Sequence, residues 1–221
     1  MRSRLSAALA LGLALAAPAR ADEGWRPVLE QDGVTVLERA APDRALPVLR
    51  GEVEIDADPY EIAAVIVDAP AQTEWMWQCL ESRVLRDGPE GDDLVYQRIH
   101  ARWPATDRDV VFESRTRVLE PERRVAIHFH STADAAAPPV DGLVRMARLD
   151  GEFEVSALAP GRSRVRYTFD ADPGGMLPAS FVRTVVKESP FDTLVGLRRR
   201  VAETRGLYAE FIASLRARAP R

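Results

Sequence analysis

The last quarter of the chain, from Asp172 to about Leu215, limits what the rest can fold into. It opens on Asp-Pro-Gly-Gly-Met-Leu-Pro (Asp172 to Pro178), a turn that must end any preceding strand. Pro178 suits a first helical residue, whose N–H has no intrahelical partner. Apolar residues then recur at Phe181, Val182, Val185 and Val186. They continue at Leu194, Leu197, Val201, Tyr208, Phe211, Ile212 and Leu215. This three-and-four spacing gives a long helix one apolar stripe. Arg198, Arg199, Glu203, Arg205, Glu210 and Arg216 fall on the other side. Pro190 should kink or divide the helix by removing a backbone donor. Such a stripe needs a large apolar surface to cover, and what lies upstream is a set of strands.

Two strands are predicted between Gly33 and Asp56, with Gly51 a candidate bulge. Asp58-Pro59-Tyr60-Glu61 then combines an acidic N-cap, a proline at the first position and a capping-box glutamate. Ile62, Val65 and Ile66 form the apolar side of that helix, Pro70 ends it, and a short helix or turn is placed at Glu74 to Trp77. Beyond this the helical period disappears. Strands are predicted over Leu94–His100, Val110–Leu119, Arg124–Thr132, Leu143–Leu158 and Arg164–Asp170. The alternation is cleanest at Val125, Ile127 and Phe129, and at Val165, Tyr167 and Phe169. Strands in succession joined by short turns form an antiparallel meander, whose apolar face the terminal helix would cover. The expected class is α+β: a curved antiparallel sheet of about seven strands wrapped around a long C-terminal helix, with one or two short helices after the second strand.

Residues 1–21 are read as a cleavable signal peptide. Arg2 and Arg4 precede an apolar run from Leu5 to Ala17, and Ala19-Arg20-Ala21 is a small-x-small cleavage site. The run is too short for a permanent bilayer anchor. A periplasmic or secreted chain cut after Ala21 is therefore expected, with residues 22–221 forming one domain. Losing Arg2, Arg4 and Arg20 takes the basic count from 30 to 27 against 34 acidic residues, a net charge of −7. Such a balance argues against a nucleic-acid partner. Cys79 is the sole cysteine, so no internal disulfide can form, and it is read as a small residue packed beneath the surface.

Three segments resemble the START lipid-transfer family, within the helix-grip superfamily that also holds aromatic polyketide cyclases. Trp-Pro-Ala-Thr-Asp-Arg-Asp-Val-Val-Phe (Trp103 to Phe112) is similar to the family's proline-containing loop, its Arg-Asp and the apolar strand after it. Gly151 to Pro178 looks like the last two strands and the exit into the terminal helix. Glu74-Trp75 stands where the family has an acidic-Trp pair. The resemblance covers nearly all of Val28 to Leu215. It implies a tunnel between sheet and C-terminal helix for one lipid or other hydrophobic molecule, in a monomer that touches membranes transiently. The buried Glu–Arg pair of some sterol-binding members is missing: Leu94 to Arg98 contains no acid, and Ser114 stands about where the Arg would fall.

Within such a tunnel the lining is assigned to Trp75, Tyr96, Trp103, Phe112, Phe129 and Met146 from the first part of the chain. Phe153, Tyr167, Met176, Phe181 and Val185 complete it. Arg108 and Asp109, at a strand entrance, either meet a ligand head group or tie the loop to the sheet. His128 and His130 share a strand face without a third ligand at an obvious spacing, so a solvated face is expected and no metal or cofactor is implied. The chain has no Gly-x-Ser-x-Gly, His-Glu-x-x-His or phosphate-cradling glycine loop. The main expectation is an exported carrier, and no enzyme. An alternative is cyclase/aromatase-like chemistry using Tyr96, Tyr167, His100 or Arg108. A third is a partner-binding domain whose core is filled by Phe129, Met146, Phe153, Tyr167 and Phe181.

Overall fold

A computed structural model describes residues 24–217 except 45, 89–91, 120–122 and 176–186. The segment read as a signal peptide lies outside the described residues. The strands are β1 (Trp25–Gln31), β2 (Val34–Arg39), β3 (Val48–Ile55), β4 (Cys79–Arg86) and β5 (Asp92–Ile99). They continue as β6 (Arg108–Leu119), β7 (Arg124–Ser131), β8 (Val144–Arg145), β9 (Arg148–Ala159) and β10 (Arg162–Asp172). The sheet order is β1-β2-β3-β10-β9-β7-β6-β5-β4. All pairings along this path are antiparallel, while β8 pairs in parallel with β6.

Between β3 and β4 the chain crosses to the other edge of the sheet through helix α1 (Pro59–Val67) and a 3₁₀ turn (Pro70–Glu74). The expected capping box is complete: Asp58 accepts from the Tyr60 amide at 3.1 Å, and Glu61 accepts from the Asp58 amide at 3.2 Å. Pro70 opens the 3₁₀ turn, which ends at Glu74 and leads into turn residues at Trp75 and Trp77, where a short helix or turn was expected. Helices α2 (Glu188–Glu203) and α3 (Ala209–Ala217) close the chain over the inner face. Leu194, Leu197, Val201 and Leu215 are buried there, as the stripe requires.

Three expectations are corrected. The terminal helix divides at Thr204–Leu207, where Gly206 adopts φ +81°; the stretch expected before Pro190 lies outside the described residues. Pro190 falls in the first turn of α2, where backbone N–H groups have no intrahelical acceptor to lose. Gly51 is not a bulge, since the register of β3 runs through it unshifted on both sides. A Cβ there would stand 2.6 Å from Leu194 Cδ1, so the glycine lets α2 approach the sheet. The span Leu143–Leu158 breaks into β8 and β9, and β8 occupies the edge of β6 at Arg108 and Asp109, beyond the last β7 pairing at Phe112. With β1 and β4 the sheet has ten strands among the described residues, the expected curved antiparallel layer of about seven with an added strand at each edge.

Cys79 is buried at the start of β4, and burial pushes its thiol up to about 11. At pH 8 roughly a thousandth of it is ionised, against roughly a quarter of an ordinary cysteine. Alkylation of the native chain at pH 8 should therefore be about 100-fold slower or more than in urea; comparable rates would overturn this. Tyr208 is likewise pushed up to about 12, by burial and by its 2.7 Å hydrogen bond to Asp68. Both groups hold their protons more tightly folded than unfolded. Their stabilisation is complete below their ordinary values and is lost as the pH climbs through about 11 for Cys79 and about 12 for Tyr208.

Candidate functional site

Alternation along five strands aims one set of side chains inward. Val95, Gln97 and Ile99 come from β5, Arg108, Val110 and Phe112 from β6, and Ile127 and Phe129 from β7. Leu149 and Phe153 on β9, with Val165, Tyr167 and Phe169 on β10, complete this surface. Its centre is an aromatic cluster. Phe153 and Tyr167 stack with centroids 4.1 Å apart, Phe129 meets both at 6.1 Å, and Tyr167 touches Phe169 at 4.9 Å. These rings fill part of the space beneath the helices.

Two hollows remain. The larger, of about 150 Å³, lies at one end of the inner face beneath the start of α2. Met76, Ile99, Met146, Leu149, Phe169 and Ala171 give it an apolar wall, with Gln97, Arg108, Tyr167 and Thr193 as its buried polar members. The loop His100 to Ala105 forms its rim, and Arg102 crosses to the Glu188 carboxylate at 2.6 Å. A smaller hollow of about 40 Å³ lies deeper, among Ile66, Val95, Phe112, Ile127, Phe129 and Phe153. Met76, Gln97, Leu149 and Tyr167 line both and so form the partition. Both hollows are small beside the roughly 300–1,000 Å³ of typical ligand sites.

Most polar groups on this wall are already satisfied. Gln72 donates to the Ile66 carbonyl at 2.8 Å, and its own carbonyl accepts from Ser82 at 2.7 Å and Gln97 at 2.6 Å. Such pairing is what a buried amide needs in an apolar surround. Burial raises the Tyr167 hydroxyl and keeps it protonated. Among the described residues no carboxylate lines the larger hollow. His100, at the rim, binds Asp107 at 3.0 Å.

The Arg108–Asp109 pair divides, because neighbouring strand residues face opposite ways. Asp109 points outward and is 1% exposed. It accepts two hydrogen bonds from Arg145, each 2.9 Å, and Arg145 also donates to the Ala137 and Pro138 carbonyls. Asp109 is thus structural, tying the segment before β8 to the sheet. Arg108 points inward to the larger hollow.

Of the assigned lining residues, Met146 and Tyr167 border the larger hollow, and Phe112, Phe129, Phe153 and Tyr167 the smaller. Tyr96 lies on the opposite face, packed with Leu94, Val111 and Ala137 under the Arg83 guanidinium. Its position one residue from Gln97 decides this, since only alternate residues face in. Trp103 stands 90% exposed on the rim loop. Trp75 is buried, but its backbone packs under α2 against Gly196 and it lines neither hollow. Met176, Phe181 and Val185 lie outside the described residues. Met76, Gln97, Ile99, Leu149 and Phe169 were not among the assignments. Strand parity with Tyr167 marks Phe169, whereas nothing local marks Met76. His128 and His130 face outward and pair with Glu152 at 2.9 Å and Asp150 at 2.6 Å. No cluster of three potential metal ligands occurs among the described residues.

A curved antiparallel sheet holding C-terminal helices over an apolar hollow is a helix-grip architecture, and the comparisons agree. Residues 10–205 match the START domain family, and the chain belongs to it. It is 31% identical over 178 residues to an uncharacterized protein of Pseudomonas aeruginosa, covering 80% of this chain and 86% of that one. Human phosphatidylcholine transfer protein is 24% identical over 176 residues, covering 77% of this chain and 80% of its own length. The crystal structure of a STAR-related lipid transfer protein from Xanthomonas axonopodis superposes with a TM-score of 0.75 at 27% identity. It spans 81% of this chain and 99% of that structure.

Proposed function

We propose that the chain is an exported carrier that shields one hydrophobic molecule between the sheet and the C-terminal helices. The observation that carries this reading is the apolar hollow beneath α2, set in a START domain. Covering hydrocarbon stabilises it by about 25 cal/mol per Å², enough to hold a lipid out of water. The hollow as it stands takes only part of a lipid, so loading needs an opening. The proposed hinge is the end of β10 at Asp172 to Gly175, where Gly174 and Gly175 both adopt positive φ. Trp103, exposed on the rim, is the group proposed to touch a bilayer, because indole favours the membrane interface.

Two measurements test this on protein purified from its native host. Periplasmic extract should yield a mature chain beginning at Asp22, and mass spectrometry should find a lipid bound near stoichiometry. A chain that retains its first residues in the cytoplasm would remove the export reading. One without any co-purified lipid, and without binding to a panel of fluorescent lipids, would remove the carrier reading.

A further inference from the structure

Among the described residues Arg108 is a buried cation that forms no ion pair. It is 6% exposed, faces the larger hollow, and its one hydrogen bond among the described residues goes to the Thr106 carbonyl. The acids on either side are engaged elsewhere. Asp109 faces the other way and holds Arg145. Asp107 is taken by Arg98 at 2.8 Å, by His100 at 3.0 Å and by the Ala101 amide at 3.1 Å. On the far side, Gly175 brings backbone near Nη2 but no side chain. Buried charges are normally paired, and an unpaired one is strongly unfavourable. Burial lowers the guanidinium's hold on its proton, yet an arginine stays charged. A scaffold that keeps such a group beside an apolar hollow has left its partner to be supplied from outside.

We propose that Arg108 is an oxyanion subsite, and that the carried molecule is an amphiphile whose carboxylate or phosphate meets this guanidinium while its hydrocarbon lies against Met76, Ile99, Met146, Leu149 and Phe169. The proposal rests on the carrier reading and narrows its ligand class. A guanidinium offers a planar pair of donors that fits either oxyanion, and the interaction gains strength where water is excluded. Neutral ligands such as a free sterol or a fatty alcohol leave the charge unmatched.

The test uses the delipidated mature chain and displacement of Nile red by dodecanoate, dodecyl phosphate and dodecanol at pH 7.5. At least one oxyanion should displace the dye about 10-fold more tightly than dodecanol, as expected of a charge-assisted contact. Which one does so identifies the source of the oxyanion. In Arg108→Met that preference should vanish while dodecanol binding stays within about 3-fold, and Arg108→Lys should restore part of it. Arg102→Gln, at the rim, should keep the preference. Equal displacement by all three amphiphiles in the unmodified chain overturns the subsite and leaves the carrier reading intact, whatever the variants do. A preference that survives in Arg108→Met also overturns it. If neither Nile red nor any amphiphile binds, both readings fall.

Discussion

Replacing Asp109 by alanine should cost about 3–5 kcal/mol of stability, the loss typical of breaking a buried ion pair from one side. The carboxylate is almost fully enclosed and accepts from Nε and Nη2 of Arg145, whose side chain is itself 24% exposed. Removing it leaves that guanidinium with only the carbonyls of Ala137 and Pro138. The segment leading into β8 then loses its anchor, and with it the small outer core of Leu94, Tyr96, Val111 and Ala137. For a chain of this size the midpoint of thermal unfolding should fall by roughly 6–20 °C, at about 2–4 °C per kcal/mol. Arg145→Leu combined with Asp109→Leu should recover most of the loss, since a buried pair replaced by hydrocarbon is often neutral. The single variant should also be cleaved between residues 133 and 147 by a protease that spares the parent. A loss under about 1 kcal/mol would show that Arg145 swings free into water and that the bond is dispensable.

Much of this architecture is legible in local pattern, and what is not has physical reasons. The Asp58 cap and the Leu194-to-Val201 stripe are signals each confined to one element, and both are realised. β1 lacks alternation, but the turn after it does not: Asp32-Gly33, with φ +51° and +73°, is a two-residue hairpin turn readable from its residues. β4 is an edge strand whose register shifts twice against β5, and each shift resets the period of two by which strands are recognised. The separate fates of Arg108 and Asp109 follow from strand parity alone. The identity of Asp109's partner does not, because Arg145 lies 36 residues away and reaches it only once β8 has paired with β6. Met76 is another such case, held at the partition between the hollows by the turn that follows Glu74.

The contact between Gly51 and Leu194 decides how closely α2 can lie on the sheet, and it makes the second large prediction. Leu194 is fully buried, so Leu194→Ala should lose about 3–4 kcal/mol, from transferred hydrocarbon together with the void left behind. Gly51→Ala pushes in the opposite sense. Its new methyl would sit 2.6 Å from Leu194 Cδ1 and 3.1 Å from Pro190 Cβ, an overlap relieved only by moving the leucine or the helix. Overpacking of this kind costs about 1–3 kcal/mol, partly offset by roughly 0.5–1 kcal/mol from removing a glycine inside a strand. Separately, then, both substitutions destabilise. Together they should not add, because the alanine at 51 grows into the space vacated at 194. Urea unfolding of the four proteins should show the double variant about 1 kcal/mol or more better than the sum of the singles, with unchanged m-values. Additivity within about 0.5 kcal/mol would mean that α2 settles onto the sheet independently of this contact, and that the glycine is not what sets its distance.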